Sequence, residues 1–172
     1  TTNNLKGVSF GNDTFVVVGD SGNIVRSTDN GSSWDNATSP TANRLVGVYF
    51  GNNILVATGN SGNIVRSTDN GSSWDNATSP TTENLKGVSF GNDTFVIVGD
   101  SGNIVRSTDN GSSWDNATSP TTKNLLGVSF GNNTFVAVGN SGNIVRSTNN
   151  GSSWDNATSP TGNAIYAVTF YE

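Results

Sequence analysis

Phe15-Val16-Val17-Val18, closed by Gly19-Asp20-Ser21-Gly22 and followed by Asn23-Ile24-Val25-Arg26-Ser27-Thr28, decides the fold of this chain. The apolar run is short, rich in β-branched residues and cut off by turn residues, which reads as a strand. Successive strand side chains point to opposite faces, so this strand is apolar on both. A sheet built on it leaves one greasy face in water unless it has a neighbour on either side. Burying one Phe or Val is worth roughly 1.5 to 3 kcal/mol, so several such residues make an isolated sheet untenable.

Outward from this stretch the chain repeats every 40 residues. Blocks begin at Thr1, Thr41, Thr81 and Thr121, and a truncated fifth begins at Thr161. That divides one repeat domain, 1–172, into units 1–40, 41–80, 81–120 and 121–160 with a closing strand in 161–172. No unit shows an apolar 3.6-residue period over a helix length. Four strands per unit emerge: A over Leu5 to Phe10, B over Thr14 to Val18, C over Asn23 to Thr28, and D over about Ser33 to Thr38. Gly11-Asn12-Asp13, Asp20-Ser21-Gly22 and Asp29-Asn30-Gly31-Ser32 are hairpin-length links. Ser39-Pro40-Thr41-Ala42-Asn43 is longer and carries a Pro that cannot donate to a ladder, so it crosses between sheets. An all-β propeller of four-stranded antiparallel blades satisfies these constraints.

The C-to-D turn reads Ser27-Thr28-Asp29-Asn30-Gly31-Ser32-Ser33-Trp34 and recurs at 67–74, 107–114 and 147–154. Its signature residues are Ser27, Asp29, Gly31 and Trp34; Ser67, Asp69, Gly71 and Trp74; Ser107, Asp109, Gly111 and Trp114; and Ser147, Asn149, Gly151 and Trp154. This pattern resembles the Asp box of the sialidase-like (BNR) repeat propellers. Physically, Asp29 can accept hydrogen bonds from its own turn, Gly31 permits positive φ, and Trp34 anchors the hairpin. A calcium loop needs more carboxylates, and Asn149 stands where the other units have Asp. A structural clip is therefore expected, with no metal and no cofactor.

Eight Lys and Arg against thirteen Asp and Glu give a charge of -5 without a basic run, which argues against nucleic acid. Without Cys or His there is no disulfide framework, and imidazole and thiolate chemistry are excluded. No stretch approaches a membrane span, and Thr1-Thr2-Asn3-Asn4 is unlike a signal peptide, so a soluble protein is expected.

The resemblance to sialidases implies an arginine cluster, a tyrosine nucleophile with an acidic partner, and an acid/base carboxylate. Here Arg26, Arg66, Arg106 and Arg146 occupy one repeat position, and only Glu83 and Glu172 are glutamates. Each of these arginines is expected to pair with Asp35, Asp75, Asp115 or Asp155 across the C/D hairpin, or to lay its stem on a sheet face. Asn-x-Ser/Thr triplets such as Asn12-Asp13-Thr14 and Asn36-Ala37-Thr38 are accounted for by turn chemistry.

Units one and three differ only at Asn3/Glu83 and Val17/Ile97, while units two and four share Asn53/Asn133, Ala57/Ala137 and Asn60/Asn140. The array therefore reads as an amplified 80-residue pair, recently duplicated or engineered. Variation collects on A strands and the loops entering them, which makes Lys6, Arg44, Lys86 and Lys123 a candidate ligand face. Five A segments against four each of B, C and D leave one strand surplus. It can replace the first A strand in a ring, seed a partial fifth blade, or complete a blade in another chain. Ala167 for Gly7 and Tyr171 for Gly11 mark it as a dedicated end strand. The small residues Ala57 and Ala137 favour more, thinner blades than a four-bladed monomer, and two chains would make an eight-bladed C2 ring. The functional expectation is a non-enzymatic scaffold or assembly module. The alternatives are a multivalent glycan-binding propeller using Trp34, Asn36 and their copies, and a sialidase-like hydrolase.

Overall fold

The computed structural model describes residues 2–171; Thr1 and Glu172, which bound the sequence-defined domain, lie outside the described residues. Sixteen strands follow one another: β1 Leu5–Gly11, β2 Thr14–Gly19, β3 Ile24–Ser27, β4 Asp35–Ala37; β5 Leu45–Gly51, β6 Ile54–Gly59, β7 Ile64–Ser67, β8 Asp75–Ala77; β9 Leu85–Gly91, β10 Thr94–Gly99, β11 Ile104–Ser107, β12 Asp115–Asn116; β13 Leu125–Gly131, β14 Thr134–Gly139, β15 Ile144–Ser147, β16 Asp155–Asn156. They form four separate antiparallel meanders in sequence order, one per repeat.

Turn chemistry fixes the hairpins. Asn12 and Asp13 both have positive φ, 48° and 56°, which is what a two-residue link needs to match strand twist. The β2–β3 link is a short 3-10 turn over Asp20–Gly22 with Ser21 in the left-handed region. C and D are shorter than the sequence suggests. The Asn23 N–H closes the 3-10 turn onto the Asp20 carbonyl, and Ser33 is bound to Asp29 through both its N–H and its hydroxyl. Neither N–H is free for the ladder.

In the two middle blades strand B divides its side chains between two neighbours, as its all-apolar run requires. Val16, Val18 and Ile24 face forward and pack with Leu45, Val48, Leu55, Ala57, Val65 and Trp74 of the next blade. The same layer recurs twice more, ending with Val96, Val98 and Ile104 against Leu125, Phe135 and Trp154. β1 packs on β5, β5 on β9 and β9 on β13; no comparable packing joins β13 to β1 among the described residues. The single chain is an open stack. It has a head, the backward face of β1–β4, and a tail, the forward face of β13–β16.

Residues 161–171 lie along the tail in the place of a fifth first strand. Ile165 N–H donates to the Gly139 carbonyl at 3.0 Å, and the Phe170 ring covers Gly131 as Phe50 covers Gly11. The segment forms no regular strand among the described residues, although it occupies the place next to β13 that a further first strand would take.

Candidate functional site

The four C-to-D turns, 27–34, 67–74, 107–114 and 147–154, are self-contained hydrogen-bond clips. The Ser27 hydroxyl donates to Asp29 Oδ1 at 2.8 Å and accepts from the Gly31 N–H at 2.9 Å. Asp29 then accepts from the Ser33 N–H at 2.9 Å and the Ser33 hydroxyl at 2.6 Å. Trp34 Nε1 donates to the Gly31 carbonyl at 3.1 Å, with Gly31 at φ 83°. The fourth turn keeps this frame without a charge, because Asn149 accepts through Oδ1 and donates through Nδ2 to Ser153 Oγ at 2.8 Å. Among the described residues no cluster of three metal-ligating side chains accompanies these turns.

These hydrogen bonds lower the pKa values of the clip aspartates. The Ser33 hydroxyl and N–H, with Ser27, hold Asp29 down at about 2, and Ser113 with Ser107 does the same for Asp109, also about 2. At Asp69 burial works upward, but the Ser73 and Ser67 hydrogen bonds outweigh it and the shift is downward. An unfolded Asp titrates near about 3.9, so the clips contribute stability above that pH and lose it as pH falls toward 2. Thermal melts at pH 5, 3 and 2 should show a steepening loss below about 4. Replacing Asp29, Asp69 and Asp109 with Asn should flatten that slope toward the behaviour of the fourth turn. An unchanged slope would place the acid sensitivity elsewhere.

Burial of the tryptophans separates the blades. Trp74, Trp114 and Trp154 are 5%, 6% and 5% exposed, whereas Trp34 is 44% exposed. The aromatic ladder is otherwise alike, with Phe15 to Trp34 and Phe95 to Trp114 both at 6.4 Å between ring centroids. Buried indoles cannot serve as sugar platforms, so the lectin-like pocket expected around Trp34 and its copies is not formed in blades two to four. At the head it is open, a 260 Å³ hollow lined by Leu5, Val17, Val25, Trp34 and Asn36. Val8 and Phe10 extend the exposed apolar face.

The arginines correct a second expectation. Arg26 and Asp35 are register partners, yet no ion pair joins them. Arg26 Nη1 instead donates to Ser72 Oγ at 2.7 Å, Arg66 Nε to the Asn110 carbonyl at 2.6 Å, and Arg106 Nε to the Asn150 carbonyl at 3.2 Å. Each of these three guanidinium groups straps its blade to the C-to-D turn of the next, while Arg146 is exposed. Asparagine ladders run beside these straps, with Asn12 Nδ2 donating to Asn53 and Asn70, and Asn92 Nδ2 to Asn133 and Asn150.

Lys6, Arg44, Lys86 and Lys123 fall on four different blades. Arg44 pairs with Asp20 at 3.0 Å and Lys86 with Asp100 at 3.3 Å, while Lys6 and Lys123 are exposed. The 3-10 turns and the blade-to-blade crossings do share one face, since the Asp20 N–H donates to the Asn4 carbonyl and Arg44 reaches back to Asp20. Repeated polar clefts open there. One of 500 Å³ is lined by Ser79 to Glu83 and Asn103, another of 480 Å³ by Ser119 to Lys123, Asn143 and Asn156. The variable residue differs in charge, Glu83 in one cleft and Lys123 in the next.

Among curated proteins none matches the sequence. Solved structures show the same fold at low identity. YCF48 bound to D1 peptide superposes with a TM-score of 0.72 at 20% identity, covering 91% of this chain and 55% of that one. An ancestral GH74 enzyme gives a TM-score of 0.75 at 22% identity over 92% of this chain and 24% of the other. The computationally designed Ika4 protein gives 0.70 at 11% identity, over 86% and 92%. This chain thus spans little more than half of the YCF48 chain. The family model of the DUF6242 beta propeller domain matches residues 47–171, and the chain belongs to that family.

Proposed function

We propose that the chain is a non-enzymatic propeller of the Asp-box type that works as an assembly module, its head covered by the tail of a second copy. One observation carries this reading. The head exposes Leu5, Val8, Phe10 and Trp34, whose copies in blades two to four pack against the forward face of the preceding blade. The tail carries Val136, Val138 and Ile144, the counterparts of Val16, Val18 and Ile24; in this chain Val138 is buried and the other two are half-buried. An interface already made three times within one chain is therefore available once more between chains. Two copies joined at both ends complete a closed C2 ring, which leaves neither terminal blade face open. Solution mass should rise from 17.8 kDa toward twice that value with concentration. A mass fixed at 17.8 kDa over the whole range contradicts the reading.

The repeated clefts support a second reading, a multivalent glycan binder, because a polar hollow of similar size recurs at the same place in successive blades. A glycan array distinguishes the two: saturable binding lost on changing Thr121 and Lys123 favours the binder, and silence favours the module. Turnover of a fluorogenic sialoside would overturn the non-enzymatic reading.

A further inference from the structure

Two rows of glycines in the first strands allow one blade to seat the next. A Cβ on Gly7 would lie 2.7 Å from the Val46 carbonyl oxygen, and one on Gly47 would lie 2.6 Å from that of Lys86. A Cβ on Gly11, Gly51 or Gly91 would fall inside the ring of Phe50, Phe90 or Phe130. Both glycines point toward the following blade. In the segment on the tail, Ala167 and Tyr171 replace them, and both are exposed.

We propose that residues 162–171 are a removable plug that competes with the head of a second copy for the tail. This rests on the assembly reading and gives it a control. A head cannot seat on the plug, because Ala167 and Tyr171 fill the space that its first strand and its Phe10 require. Nor can the plug stand in for β1 of another copy. Its Ala167 Cβ would take the place 2.7 Å from the Val46 oxygen, and its Tyr171 would enter the Phe50 ring. Only displacement remains. β1 carries the Leu, Gly, Val and Phe of β5, β9 and β13 at the matching positions, so it fits the tail as they fit their own predecessors. The head blade also brings Val17, Val25 and Trp34 to the contact.

The test loosens the plug in the full chain. Val168→Asp with Phe170→Asp removes its apolar grip on the tail, and a chain shortened by residues 162–172 removes it altogether. Sedimentation equilibrium measures dimerisation, and blue-shifted Trp34 emission reports whether the head is the surface covered. Both variants should dimerise at least tenfold more tightly than the unaltered chain, with the blue shift. Dimerisation of the unaltered chain that is as tight as, or tighter than, that of both variants overturns the plug while leaving the assembly reading intact. Single chains throughout, at millimolar concentration, overturn both.

Discussion

Trp114→Ala is expected to lower the unfolding free energy by about 3–5 kcal/mol, and Trp34→Ala by about 1 kcal/mol or less. The two residues sit in identical local sequence, Ser-Ser-Trp-Asp-Asn, and in the same clip, so local chemistry cannot distinguish them. Their neighbours do. Trp114 lies in a layer with Val56 and Ile64 of the preceding blade and Leu85, Phe95 and Ile97 of its own. Its removal leaves a cavity between two rigid sheets, where relaxation is limited. Trp34 has no preceding blade and stands 44% exposed. Denaturant midpoints of the dilute protein check the pair. Equal losses would mean that the head is covered in the single chain.

Gly47→Ala carries the second large effect, about 2–3 kcal/mol of destabilisation. Its new methyl would meet the Lys86 carbonyl oxygen at 2.6 Å and Thr58 Oγ1 at 3.1 Å. Backbone on a paired strand cannot move aside as a flexible side chain can, so two blades must separate. The reverse change at the equivalent place on the plug, Ala167→Gly, should cost no more than about 1 kcal/mol, because that side chain meets solvent. A thermal melt of each variant tests the contrast. A Gly47→Ala protein that melts with the parent would show that the first strands are not held at this spacing.

Much of the fold was legible before any coordinates, for reasons that can be assigned. Phe15-Val16-Val17-Val18 demanded two covered faces; the stack covers Val16 and Val18 on one side, while Val17 on the other lines the open head. Asn12-Asp13 and Ser27 to Trp34 are turns whose conformations their own side chains specify. Partners in the next blade were not legible. Arg26 faces Asp35 in register, yet binds Ser72, 46 residues away in the C-to-D turn of the next blade. The tryptophans likewise read as four equal residues, and only their places in the stack separate Trp34 from the rest. The substitutions Ala167 and Tyr171 were visible as marks of an end strand; what they prevent required the distances around Gly7 and Gly11.

Fluorine NMR of the protein labelled with 5-fluorotryptophan tests the open, head-to-tail stack most directly, since each of the four indoles reports one blade without mutation. At low concentration one resonance of four should carry the solvent isotope shift of a wet ring, and raising the concentration should abolish that shift. Four protected rings at every concentration would contradict the account, for the first blade would then already be covered within its own chain.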